Sequence, residues 1–260
     1  MFYALFYQMK KNIIKFGNFI FRWRDLIFTL IFLPAFYLVT LPELTCGGKN
    51  TDTASFIAGF LTVLSGITVR GFTVASGFVK RSGVQRKIHA EGVVRSGLFA
   101  HTRNPLYLSN FVIITGVMLC LNLTFYYSVF LPLFYAIYYS ITIAEEDYLI
   151  SKFGEDYKNY IKTVNRYIPG NLSHIKESFS EVELSFKRFL KREYGSTALL
   201  ISSLIIIYQI KFHHQHGLDF MAAENIAAWI FSAALILLHV IIQILTKYDL
   251  LVLDVKEPLH

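Results

Sequence analysis

The sequence predicts an all-α fold, a polytopic transmembrane helix bundle of about six spans. Three observations carry that expectation. The 260 residues are 54 % hydrophobic and only 17 % charged, with a mean hydropathy of +0.46. Soluble domains carry nearer a quarter charged residues, so an ordinary soluble enzyme and a disordered chain are both excluded. Six apolar stretches recur, at about 26–41, 53–69, 106–121, 126–143, 197–212 and 225–245. The basic residues alternate with them: segments 1–25, 70–103, 144–195 and 247–260 hold 23 of the 25 Lys and Arg residues, leaving only Lys49 and Lys211 for the intervening loops. That split follows the positive-inside rule, which places both termini in the cytoplasm. It also accounts for the net charge of +7 and the pI of about 9.3 without a nucleic-acid partner.

The spans follow in order. The first lies behind a basic segment, as a signal peptide would, but ends in Leu41-Pro42-Glu43 without a small-x-small cleavage site and reads as an uncleaved anchor. The second runs on through Val79 if Arg70 snorkels at an interface. Only Asn122 to Phe125 separate the third and fourth, the spacing of a tight helical hairpin. A span needs about 20 apolar residues, so the fifth, Thr197 to Phe212, fits a crossing or a re-entrant segment. Before it, residues 175–192 set Phe179, Val182, Phe186, Phe189 and Leu190 on one helical face beside Lys187, Arg188, Lys191 and Arg192, the pattern of a helix on an anionic membrane surface. His213, His214 and His216 fall in an outer loop; they could ligate a metal, but no acidic or cysteine partner has matching spacing, and they read as solvated side chains with no metal site expected. Cys46 and Cys120 both fall toward the outer side, where a bridge is possible, although lone cysteines are more often simply buried.

Two cytoplasmic segments carry chemistry. GVVRSGLFAHTRNPLYLSN, residues 92–110, opens the third span. Asn104 suits an N-cap and Pro105 the first helical position. A helix N-terminus beside Arg103 is also ready for an anion, and capping does not explain Tyr107 or His101. The second segment reads IAEEDYLISKFGEDYKNYIKTVNRYIP, residues 143–169. From Leu149 its apolar positions Leu149, Ile150, Phe153, Tyr157, Tyr160, Ile161 and Val164 form one helical stripe, with Glu146 near its middle and Glu145 and Asp147 to either side. A carboxylate on an apolar face is expensive without a positive partner. Either Lys or Arg pairs with Glu146, or it is reserved for a cationic ligand.

SGLFAHTRNPLY followed by EEDYLISKFGEDYKNYIKTVNRYIP resembles the C-terminal region of the isoprenylcysteine carboxyl methyltransferase family, and is similar to the related phospholipid N-methyltransferases. The resemblance covers 92–169. It implies 92–169 as a methyltransferase-like core; residues 1–91, read as membrane anchor helices, match only in being hydrophobic, and 170–260, an interfacial helix with two additional spans, lies outside the family pattern. By resemblance, Arg103, Asn104, Pro105, Tyr107, Glu145 and Glu146 line a cytoplasmic pocket for S-adenosylmethionine, closed by the 145–165 amphipathic helix. Glu146 faces the donor's cationic amino-acid moiety, and the implied catalytic residues are Arg103, Glu146 and His101. Two departures matter. Asn104 stands where the carboxyl methyltransferases carry His, and Ile141 where they tend to carry Arg, so a carboxylate acceptor loses an obvious cation.

The expected activity is methyl transfer to a lipophilic acceptor, an isoprenylcysteine-like carboxylate or a phospholipid amine, in a bacterial inner membrane. In-line displacement at a sulfonium asks mostly for positioning and exclusion of water. Only an amine acceptor needs a base, for which His101 and Glu145 are the candidates. The rival readings are an NADPH-dependent sterol-type reductase, whose usual Arg-Asp-Glu corresponds here to Ala144-Glu145-Glu146, and a non-catalytic membrane scaffold.

Overall fold

Pro34 ends the first helix. It has no N–H to give to Leu30, and its ring crowds that carbonyl. The computed structural model, which describes residues 2–76, 83–84, 87–88, 90, 92–170, 172–180, 182, 184–216 and 223–247, has α1 at Phe2–Phe32 and a one-turn α2 at Ala35–Leu38. The stretch 26–41 is therefore not one helix: its first part continues a helix that begins far upstream, and the rest turns back at the proline.

The protein is mostly helical. α3 is Lys49–Ala75, α4 Pro105–Leu121, α5 Leu131–Phe153 and α6 Glu155–Thr163. α7 is the short Ile175–Ser178, α8 Phe186–His216 and α9 Ala223–Lys247. Between α3 and α4, Gly83–Val84 pairs antiparallel with Lys87–Ile88. Three helical segments, Asn50–Ala75, Tyr126–Phe153 and Arg192–His213, are long and apolar enough to cross a membrane, which marks the chain as a membrane protein. Pro105–Leu121 and Trp229–Ile244 are apolar but shorter. The fifth apolar stretch is thus part of an unbroken helix.

The hairpin between α4 and α5 forms as its spacing predicts. Asn122 ends α4 in the left-handed conformation (φ 50°), and its N–H donates to the Met118 carbonyl at 2.9 Å. Asn tolerates this geometry because its short amide can bond locally. Here Nδ2 donates to the Cys46 carbonyl and to Asp52 Oδ1, both at 2.9 Å. The chain re-enters helix through a π turn at Tyr126–Phe130, next to Pro132, which cannot supply an N–H to the ladder. Neither cysteine is in a disulfide: Cys46 Sγ lies 3.1 Å from Thr124 Oγ1, and Cys120 Sγ donates to the Phe56 carbonyl at 3.6 Å.

α3 packs along α4, α1 along α5, and α8 against both α3 and α9. Val63, Met118, Leu121, Tyr126, Ile141 and Leu204 are fully buried at these seams. The 92–169 segment is therefore walled by helices from both ends of the chain.

Three expectations need correction. Residues 175–192 are not one surface helix. Ser178 Oγ donates to the His174 and Ile175 carbonyls and Ser180 Oγ to that of Glu177, ending α7, while the Ser185 N–H donates to the Ala75 carbonyl. α8 begins only at Phe186 and buries Arg188. Arg70 does not snorkel: its Nε and Nη2 hold the Glu193 carboxylate at 2.7 and 3.0 Å, and Nη1 donates to Asn110 Oδ1 at 2.7 Å. His213, His214 and His216 belong to the last turns of α8 rather than a loop, and His213 is buried. Val79, the proposed end of the second span, lies outside the described residues.

Candidate functional site

Two strands of irregular backbone, one before α4 and one after α6, meet beneath the ends of α4 and α5. The Arg103 N–H donates to the Asn165 carbonyl at 2.8 Å, and the Gly170 N–H to that of His101 at 2.9 Å. Thr102 Oγ1 donates to the Arg166 carbonyl at 3.2 Å, and the Tyr160 hydroxyl to that of Phe99 at 2.6 Å. This seam brings the two chemistry-bearing segments together.

Glu146 lies at its centre, 5 % exposed. Arg103 reaches its Oε1 through Nε at 3.1 Å and Nη2 at 3.0 Å. Arg166 reaches Oε1 and Oε2 through Nε, at 3.1 and 3.2 Å, and Oε2 through Nη2 at 2.8 Å. Arg103 Nη1 is shared between the Ile161 and Val164 carbonyls, at 3.0 and 2.8 Å. The helical stripe placed Glu146 correctly on the buried face, and of the two roles weighed for it, pairing with Arg is the one observed. Its partners are the chain's own cations. Arg166 is a functional neighbour the sequence reading passed over; the signal was a lone cation between Val164 and Tyr167 in TVNRYIP. Burial opposes its charge, but its bonds to the Glu146 carboxylate outweigh this and hold the guanidinium above its ordinary range.

Asn104 caps α4 by position, its carbonyl accepting the Leu108 N–H at 2.9 Å, while Pro105 takes the first helical position. The Asn104 side chain makes no cap bond. Instead Nδ2 donates to Glu146 Oε1 at 3.4 Å and to the Arg166 carbonyl at 3.2 Å. One turn along α4, the Tyr107 hydroxyl donates to Glu145 Oε2 at 2.6 Å. Tyr107 also stands edge-on to Tyr138, with ring centroids 5.6 Å apart.

A cavity of about 1310 Å³ opens against this wall. Arg103, Asn104, Pro105, Tyr107 and Glu145 line it, with Phe28 from α1, Arg70 from α3, Tyr157 and Tyr160 from α6, and Glu193 from α8. Pockets for one small molecule run to roughly 300–1,000 Å³, so this space has room for two. Glu146 and His101 are not among its lining residues. Glu146 stands behind the wall as the anchor of Arg103. His101 is buried with Nε2 2.6 Å from Ser178 Oγ, fastening α7 to the loop. The predicted closing helix is divided at Gly154, whose φ of 55° with ψ of −126° is open only to glycine, so α6 is a separate short helix that lines the cavity with Tyr157 and Tyr160. Burial pushes the Tyr157 and Tyr160 hydroxyls well up and that of Tyr167 to about 12, so all three stay protonated at neutral pH.

The Arg70–Glu193 pair is the second feature the sequence reading missed, because its members lie on helices far apart in the chain: Arg70 stands alone in an apolar run, and Glu193 follows a basic cluster that offers it nearer cations. No family model, curated protein or solved structure matches this chain.

Proposed function

We propose that this chain is a six-span membrane methyltransferase of the isoprenylcysteine carboxyl methyltransferase and phospholipid methyltransferase kind, using S-adenosylmethionine to methylate a lipophilic acceptor. Both termini then face the cytoplasm, and a bacterial inner membrane is the natural setting. The observation that carries this reading is the convergence of Arg103, Asn104, Pro105, Tyr107 and Glu145, drawn from both resembling segments, on one cavity large enough for two molecules.

The residues fit such a donor. When bound, S-adenosylmethionine supplies an electrophilic methyl group on a sulfonium and carries an ammonium and a carboxylate. Glu145 offers a carboxylate to the positive groups, aimed by the Tyr107 hydroxyl at 2.6 Å. Arg24 lines the same cavity close enough to act on both Glu145 and Tyr107, and offers a cation to the carboxylate. Arg103, immobilised by Glu146 and two carbonyls, keeps the loop before α4 and the turn after α6 in register. Positioning of this kind is the main protein contribution to an in-line transfer. For an amine acceptor Glu145 is the proton acceptor within the cavity, since His101 is turned away toward Ser178.

An NADPH-dependent reductase is the second reading, favoured by one observation: six arginines line the cavity against three carboxylates, a balance suited to a polyanion. Calorimetric titration of the detergent-purified protein separates the two. S-Adenosylhomocysteine should bind at about micromolar Kd, weakened about tenfold or more by Glu145→Gln. Binding of NADPH alone would assign the cavity to a reductase, and binding of neither would remove the enzymatic reading.

A further inference from the structure

Most of the charge on the cavity wall is already committed. Arg70 grips Glu193, Arg103 is held on Glu146, and Arg95 meets Asp156 at 2.6 Å. Arg24 has Asp25 at 3.7 Å, and Arg22 is exposed to water. Arg192 on α8 differs from all of these. It is part-buried and lines the cavity, yet its Nη1 is closed off from solvent and has no hydrogen-bond partner among the described residues. The carboxylate beside it in sequence, Glu193, is taken up by Arg70 and by Ser196 Oγ at 3.2 Å. A guanidinium N–H shut off from solvent and unmet among the described residues is costly. An anion entering the cavity would remove that cost. The same wall is apolar further on, with Ile67, Ile113 and Leu200 lining it.

From this juxtaposition we infer that the α8 side of the cavity binds an anionic amphiphile, its oxyanion against Arg192 and its chain along Ile67, Ile113 and Leu200. The oxyanion could come from a membrane amphiphile or from free phosphate, and the apolar lining favours the amphiphile. It shares one cavity with Tyr107 and Glu145, but its test reads only the headgroup and Arg192, so its failure would leave the S-adenosylhomocysteine titration, and the methyltransferase reading, untouched.

The test is binding to the full chain in an uncharged maltoside detergent, with dodecyl phosphate, inorganic phosphate and dodecyltrimethylammonium as probes. Dodecyl phosphate should bind about tenfold or more tightly than either of the others, and Arg192→Gln should remove that advantage while Arg192→Lys keeps much of it. Inorganic phosphate binding as tightly as dodecyl phosphate would make this a free-anion site and overturn the amphiphile. Equal binding of the dodecyl cation would leave only a tail-binding groove. A loss of NADPH affinity in Arg192→Gln, with dodecyl phosphate affinity unchanged, would assign the arginine to a nucleotide. Should the Gln variant not fold, the comparison of headgroups on the natural chain still decides.

Discussion

Glu146 is held by Arg103, Arg166 and Asn104, and this one carboxylate ties the loop before α4 to the turn after α6. Removing one member of a buried ion cluster leaves uncompensated charge at a cost of about 3–5 kcal/mol. Glu146→Gln should therefore lower the thermal unfolding temperature in detergent sharply. Glu145→Gln, which removes the charge but keeps an acceptor for the Tyr107 hydroxyl, should unfold close to the natural chain and show its effect in ligand affinity instead. The opposite order would return Glu146 to the ligand and Glu145 to the scaffold. The burial of Glu146 was legible because helical periodicity is a local property. Its partners were not: Arg166 follows after 20 residues and Arg103 precedes by 43, distances over which only the packing of two loops brings them together. For the same reason the acidic pair could be recognised as a site, but not which of its members faces the cavity.

Elements were easier to read than their ends. Each of the last five apolar stretches falls inside one helical segment, because a long apolar run leaves the backbone little alternative in a membrane. The ends went astray where a charge inside the helix is neutralised by a distant helix, as at Arg70 and Glu193, or where one residue breaks the period, as at Pro34 and Gly154. Within the α3–α4 seam, Gly59 and Gly116 face one another. A Cβ on either would stand 2.6 Å from the other's carbonyl oxygen, so the backbones meet with no side chain between them. Gly116→Val should force the helices apart and cost about 1–3 kcal/mol, the usual penalty of overpacking. Because Tyr107 rides on α4 and Arg70 on α3, the same variant should also weaken ligand binding in the cavity. A variant that melts and binds like the natural chain would show the seam to be compliant.

On the scale of the molecule, α8 is joined to α3 by charge at both of its ends. Near its start Glu193 meets Arg70 of α3. Near its end Lys211 Nζ donates to Asp52 Oδ1 of α3, and to the Leu121 and Cys120 carbonyls at 3.0 and 3.3 Å. Both Lys211 and Asp52 are buried, at 4 % exposure each. This accounts for Lys211 standing apart from the other basic residues in the sequence: it is spent inside the protein on Asp52. A pair of this kind gives little net stability over an apolar replacement, yet losing one partner is severe. Lys211→Met should thus lower stability by about 3–5 kcal/mol, since the buried Asp52 would lose its cation. Adding Asp52→Asn, which removes the charge and keeps an acceptor for Asn122, should recover most of the loss. Thermal unfolding of the two single variants and the double variant in one detergent measures the coupling. If the double variant is as unstable as Lys211→Met alone, the pair does not fasten α8, and the cavity wall carrying Arg192 must be held by the Arg70–Glu193 bond and apolar packing.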